Sequence, residues 1–176
     1  MKNSNETKEM MALFAQNPQK GFEQIYKSFA GPVFRYLRNS FDLSREEAED
    51  ILQTVFMPWV KEPAKFFNVE NPAGYLFTSA RNATLKFKKG TVTDRNETNR
   101  SNTQQNRIDH KIENELMIKK ALESLPDEQK ETVVLKIWTD MTFEEIAELQ
   151  KCSLPTVASR YRYAIAKLKE LIPWTR

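Results

Sequence analysis

The chain has 176 residues, a net charge of +3 and 40% hydrophobic residues, which suits one ordinary domain or two small ones and excludes a polycation. Only four glycines occur in the chain, and this favours helices over sheets. No run of about eighteen apolar residues occurs, and the polar N-terminus lacks the apolar core of a signal peptide. Cys152 stands alone and cannot form an internal disulfide, so a cytoplasmic location is expected.

The N-terminal part begins with a polar stretch. Residues 1–14 show little periodicity, and a disordered N-terminus is expected there. From Phe22 to Leu37 apolar residues recur at helical spacing. The pair Gly31-Pro32 interrupts that pattern and is expected to kink or restart the helix.

The second helix is predicted to start at a capping box, with Ser44 as N-cap and Glu47 three residues later. Its apolar stripe runs to Trp59, and Pro58 is expected to bend or end the helix near its last turn. The face opposite the stripe is acidic and polar. Because phosphates would be repelled there, this face indicates docking to a protein rather than to DNA.

A third helix is predicted to open at Asn71-Pro72, as N-cap and first-turn proline, and to stop at Gly90. Basic and amide side chains on and near it are interleaved with aromatic residues, a mixture that suits unstacked single-stranded bases. The basic and amide residues are Arg81, Asn82, Lys86, Lys88 and Lys89, and the aromatic ones are Phe66, Phe67, Tyr75, Phe77 and Phe87. Taken alone, most of these aromatic residues are expected in the core.

Residues 91–107 contain one aliphatic residue and no aromatic one, so they cannot bury enough surface to offset the entropy of ordering. A flexible polar linker is therefore expected at 91–111, between a domain at 15–90 and another at 112–176. The only histidine, His110, lies at the end of this linker. Without companion ligands it is expected to be neither a metal ligand nor a catalytic residue.

The C-terminal part is predicted to contain a helix with Val133, Val134, Ile137 and Trp138 facing inward. A short helix with a capping box at Thr142 and Glu145 follows, and then a longer basic helix begins after Ser153. Two helices joined by three or four residues, with the second one basic, indicate a helix-turn-helix.

The exposed side of the last helix is predicted to carry groups that can bond base edges in a major groove: Thr156, Ser159, Arg162 and Tyr163. Arg160, Lys167 and Lys130 are better placed to contact phosphates, which position DNA without specifying its sequence. A plain helical bundle with a polar outer face is the alternative interpretation of this half.

Both halves together resemble one family. AEDILQTVF (48–56), NPAGYLFTSARN (71–82) and ALESLPDEQKETVVLKIWTDMTFEEIAELQKCSLPTVASRYRYAIAKL (121–168) resemble the two conserved domains of bacterial RNA polymerase sigma factors. The short layout is similar to the extracytoplasmic-function (ECF) group. The resemblance implies a sigma region 2-like domain at 15–90, which binds polymerase and recognises and melts the minus-ten element. It also implies a region 4-like helix-turn-helix domain at 112–176, which binds the minus-thirty-five element.

The resemblance also implies partners and contacts. The partners are the polymerase core, through the clamp helices of its β′ subunit and its β subunit, and promoter DNA; an anti-sigma factor is a further partner that the resemblance allows. The polymerase contacts would be Asp50, Gln53 and Thr54; the minus-ten contacts Phe66, Phe67, Asn71, Arg81 and Asn82; the minus-thirty-five contacts Thr156, Ser159, Arg160, Arg162 and Tyr163. No membrane insertion is expected.

Two alternatives stay open from sequence. The chain could be a stand-alone helix-turn-helix regulator, in which the acidic docking face has no evident use. It could also be a degenerate sigma-like protein that binds polymerase without melting DNA, because family members commonly carry several arginines where Lys86, Phe87 and Lys88 follow Asn82 here. No nucleophile–base pair, metal-spaced ligand set or glycine-rich phosphate loop is present, so neither an enzyme nor a cofactor is expected.

Overall fold

A computed structural model describes residues 4–92, 110–139 and 141–172. Within these ranges the chain forms helices and no strands, so the predicted all-α class is confirmed there. The helices are α1 (Ser4–Gln16), α2 (Pro18–Phe41), α3 (Arg45–Lys61), a 3-10 helix (Pro63–Phe66), α4 (Pro72–Val92), α5 (His110–Glu123), α6 (Asp127–Trp138), α7 (Phe143–Gln150) and α8 (Leu154–Leu171). None of them is long and apolar enough to cross a membrane. Most of the expected linker at 91–111 lies outside the described residues.

The N-terminal segment differs from its expected disorder, because α1 is a helix that packs on α2. Met10, Met11 and Phe14 are buried, a short stripe that a polar surrounding sequence conceals. Gly21 permits the close approach of α2, since a Cβ atom at this position would lie 2.2 Å from the Cα atom of Phe14. The first domain therefore includes α1 in its core.

Two internal prolines leave their helices continuous. Helix α2 runs through Gly31-Pro32 without restarting, and α3 continues to Lys61 past Pro58. Val33 and Trp59 directly follow the two prolines and are fully buried. Their packing holds the helical path against the loss of a backbone hydrogen bond at each proline.

The core of the first domain is rich in aromatic rings. Trp59 stacks on Phe66 with ring centroids 4.6 Å apart, and Phe14 and Tyr75 approach Trp59 at 5.6 and 5.8 Å. These rings come from α1, α3, the 3-10 helix and α4. They join four separate segments around one buried indole.

The helix-turn-helix consists of α7 and α8. Thr142 and Glu145 form the predicted capping box at the start of α7, and Ser153 caps α8 by accepting a hydrogen bond from the Thr156 backbone N–H at 3.3 Å. Between the helices, Lys151 adopts a left-handed conformation with φ of 54°. These local features confirm the predicted turn between two capped helices.

The two domains are in direct contact, because α6 packs against α2 of the first domain as well as against α7 and α8. A helix covered on several sides buries more than one stripe, and an unbroken run from Lys130 to Leu135 is buried. The predicted inward face was wrong in one respect, since Ile137 is 49% exposed and Leu135 is fully buried.

Candidate polymerase and DNA interfaces

The predicted polymerase contacts lie together on one exposed face of α3. Asp50, Gln53 and Thr54 are all exposed, and the Thr54 hydroxyl donates to the backbone carbonyl of Asp50 at 2.9 Å. The capping box at Ser44 and Glu47 fixes the start of this helix. The arrangement offers a carboxylate and an amide to a partner.

Sequence analysis missed an apolar groove beside this face. The groove has a volume of about 240 Å³, and Gln53 lies on its wall. Its other lining residues include Phe22, Tyr26, Met57 and Val60. Tyr26 is 44% exposed and Val60 56% exposed. The signal in the sequence was Val60, an apolar residue that falls outside the buried stripe of α3.

The predicted minus-ten residues separate into two groups. Asn71, Arg81 and Asn82 lie on the side of the first domain that faces α6 and α7. The lysines Lys86, Lys88 and Lys89 lie further along α4 with exposed side chains. The ammonium group of Lys88 lies 5.8 Å from the centre of the Phe41 ring. The cationic part of this surface is thus open to solvent, whereas Arg81 is partly covered.

The two phenylalanines before α4 have unequal positions. Phe66 is 5% exposed and stacked on Trp59, so its ring belongs to the core. Phe67 is half-buried, with its ring centroid 5.5 Å from that of Phe14. Phe66 therefore supports the loop and does not present a face to a base.

The predicted base-reading residues lie on α8. Arg162 and Tyr163 are exposed, and the Arg162 guanidinium stands 5.0 Å from the centre of the Tyr163 ring. Thr156 and Ser159 are half-buried; the hydroxyls of Thr156 and Ser153 share a 2.7 Å hydrogen bond, and the Ser159 hydroxyl donates to the Thr156 carbonyl. The arginine and phenol are the most accessible polar groups of this set.

The predicted phosphate contacts fall in different environments. Lys167 is exposed and donates to the Ser124 carbonyl at 2.6 Å. Lys130 is 7% exposed, and its ammonium group lies 3.6 Å from the Asp127 carboxylate. The expectation that Lys130 contacts a phosphate does not agree with this burial, which arises because α6 is covered by neighbouring helices. Arg160 is half-buried and donates to the Gln150 side-chain oxygen at 2.8 Å.

A buried carboxylate that sequence analysis did not single out connects the two domains. Glu131 on α6 is 4% exposed, and its Oε1 atom accepts hydrogen bonds from the Tyr36 hydroxyl at 2.6 Å and from Arg81 Nε at 3.0 Å. Its Oε2 atom accepts from Gln150 Nε2 at 3.1 Å. Burial raises the pKa of Tyr36 well above its ordinary value, and the charge and hydrogen bond of Glu131 add to this.

The comparisons with known proteins agree on a family. The model of sigma-70 region 2 matches residues 25–91, and the model of sigma-70 region 4 matches residues 115–168. No curated protein matches the chain significantly in sequence. The sigma factor RpoE of Bartonella quintana, solved in complex with the anti-sigma factor NepR, is 23% identical, with 89% of this chain and 99% of that chain covered and a TM-score of 0.66.

A second solved structure has a similar fold. CnrH, in complex with the cytosolic domain of CnrY, is 20% identical, with 93% of this chain and 95% of that chain covered and a TM-score of 0.65. Region 2 thus matches the first domain and region 4 the helix-turn-helix, in the order expected from sequence. The chain belongs to the sigma-70 family of RNA polymerase sigma factors, with the two-domain fold of its extracytoplasmic-function members.

Proposed function

We propose that this sigma factor contacts the core polymerase through the exposed face of α3 and reads promoter DNA through α4 and α8. The observation that carries the DNA assignment is the pair Arg162 and Tyr163, exposed on the second helix of a helix-turn-helix. An arginine there can form two hydrogen bonds to a guanine in the major groove. Thr156, Ser159, Arg160 and Lys167 complete the proposed minus-thirty-five surface, and Lys130 supports it from the core.

The polymerase contact is assigned to Asp50, Gln53 and Thr54. Their exposure, the acidic character of α3 and the apolar groove beside Gln53 support a protein partner, because polar groups around an apolar centre are typical of protein interfaces. The β′ clamp helices are the proposed partner surface, with the β subunit as a second contact.

The minus-ten strand is assigned to the first domain. Phe67, Asn71, Arg81 and Asn82 lie on or just before α4, with Lys86, Lys88 and Lys89 further along the same helix. Cationic side chains following an aromatic and amide cluster suit a single strand whose phosphates and unstacked bases are both engaged. Phe66 holds the loop in place through its stacking on Trp59.

An anti-sigma factor is proposed as a further partner. A groove of about 440 Å³ runs between the domains, with Leu43, Leu122 and Trp138 among its apolar walls. Its charged walls carry four basic residues (Arg35, Arg38, Lys119 and Lys130) and two acidic ones (Asp42 and Glu123). The excess of positive charge favours an acidic amphipathic segment of such a partner.

The chain is proposed to act in the cytoplasm without catalytic chemistry of its own. Among the described residues, no group of three or more histidine, cysteine and acidic side chains is arranged to hold a metal. Its role is then to bring the polymerase to particular sequences, and bond formation is left to the polymerase.

Run-off transcription with core polymerase on genomic fragments tests the proposal directly. Specific transcripts should appear only when the chain is added. Co-elution with core polymerase but no specific transcript would favour the degenerate sigma-like alternative, and absence of co-elution would favour a stand-alone regulator.

Asp50→Lys tests the polymerase face. The reversed charge should weaken binding to core polymerase, while circular dichroism stays unchanged because Asp50 is exposed. Glu23→Lys, the same kind of reversal on an exposed residue of α2, serves as the matched control. Full retention of core affinity by Asp50→Lys would remove this residue from the interface.

Arg162→Ala tests base reading on α8. Loss of a bidentate base contact should cost about 1–3 kcal/mol and change which minus-thirty-five sequences are tolerated. Lys167→Ala should instead weaken binding to all sequences by a similar factor, because a phosphate contact carries no sequence information. A uniform loss for Arg162→Ala would assign this residue to the phosphates.

A further inference from the structure

We propose that the free chain holds itself in a closed state in which α6 and α7 occupy the face of the first domain that binds the single strand, with Glu131 as the latch. The inference rests on the proposed minus-ten surface. It adds that free protein is unable to bind single-stranded DNA until the domains separate.

The first observation is the fate of Arg81. Its guanidinium Nε donates to Glu131 Oε1, and the arginine side chain is only 20% exposed. A carboxylate offers an arginine the same anionic oxygens that a phosphate offers. Glu131 thus occupies the hydrogen-bonding group that a DNA strand would need.

The second observation is the groove between α4 and α7. Asn71 and Asn82 line one side of it, and Glu145 and Glu148 line the other. The Asn71 side-chain amide also donates to Glu145 Oε1 at 3.4 Å. Two carboxylates placed opposite the strand-binding residues repel a phosphate backbone as well as blocking its path.

The third observation is that the latch reaches the second DNA-binding helix. Gln150 donates to Glu131 through Nε2, and its Oε1 atom accepts from Arg160 at 2.8 Å. An arginine assigned to each promoter element is therefore engaged in one buried network. Opening it would release both DNA-binding groups together.

Glu131→Gln is the decisive variant because it changes chemistry with little change in shape. The new amide nitrogen would replace an oxygen that accepts either from Gln150 Nε2 or from Tyr36 and Arg81, so one donor would face another donor. The charge that holds Arg81 would also be lost. Glu128→Gln is the matched control, since Glu128 lies on the same helix with an exposed carboxylate.

Small-angle X-ray scattering of the full chain measures opening, and fluorescence anisotropy with a random-sequence single-stranded DNA pool measures access. We expect Glu131→Gln to raise the radius of gyration and to tighten DNA binding by about 5- to 150-fold, the range of typical coupling energies. Glu128→Gln should match the unmodified chain in both measurements. Tyr36→Phe, which removes only a hydroxyl, should shift both readings in the same direction and carries the test if Glu131→Gln does not fold.

Two results would overturn the closed state. One is an unchanged radius of gyration in both latch variants, and the other is opening without any gain in DNA affinity. The proposed function is judged separately, by run-off transcription with the unmodified chain and core polymerase, so failure there is distinguishable from failure of the latch.

Discussion

The two domains are stabilised in different ways. The first is built around an indole surrounded by other rings, and Trp59 is fully buried. The second is small and buries polar side chains, among them Lys130, Glu131, Thr132 and Gln150. A buried polar group is costly unless it is hydrogen-bonded, and Glu131 finds two of its donors, Tyr36 and Arg81, in the first domain.

The difference indicates which domain depends on the other. The aromatic core needs no residue of the second domain, whereas α6 is fully satisfied only when it lies against α2. Polar contacts between domains can be exchanged for water or for another partner at a smaller cost than an apolar core can be opened. The molecule therefore combines a self-sufficient domain with one that can be released.

Trp59→Ala should produce the largest effect. Removing a fully buried indole at the centre of the ring cluster should destabilise the first domain by about 3–5 kcal/mol. Urea unfolding followed by circular dichroism measures this. Val60→Ala is the control, because Val60 is the next residue and is 56% exposed, so its stability change should be small. Equal effects of the two variants would contradict the assignment of the core.

Tyr36→Phe should have a smaller effect that depends on pH. Loss of a buried hydrogen bond to a charged group costs about 1.5–3 kcal/mol. Since the pKa of Tyr36 is raised in the folded state, its contribution is complete below its ordinary pKa of 10.0 and declines as pH rises above that value. Urea unfolding of both chains across this range should show the gap in stability narrowing at alkaline pH. A gap that widens with pH would contradict the sign of the shift.

Gly21→Ala and Gly31→Ala should have small effects of opposite sign, although both lie in α2. At position 21 the added Cβ atom would collide with the backbone of Phe14, so a loss of about 1–3 kcal/mol is expected. At position 31 the nearest atom is the end of Arg35 at 3.5 Å, so alanine should stabilise by about 0.5–1 kcal/mol. Thermal unfolding of the two variants compares them directly, and a gain at position 21 would mean that α1 does not pack there.

Local signals predicted much of the fold. The capping boxes at Ser44 and Thr142 and the N-cap at Ser153 are confirmed, because each depends on side chains within three residues of the helix start. The exposed positions of Asp50 and Arg162 also followed from helical periodicity.

Features that depend on distant segments were not predictable in this way. Lys130 and Glu131 look like surface residues of an amphipathic helix, and only the packing of α2 against α6 buries them. Helix α1 was missed because its few apolar residues gain their meaning from Gly21 and from the ring cluster. Which DNA-binding residues are covered in the free chain likewise depends on domain contact.

The separation of Tyr36 from Glu131 by 95 residues has a consequence for synthesis on the ribosome. At translation rates of about 5–20 residues per second, roughly 5–20 s pass between the emergence of the phenol and that of its carboxylate partner. During this interval the nascent first domain exposes Arg81 without the helix that later pairs with it. The order of translation thus delivers the strand-binding surface before its cover.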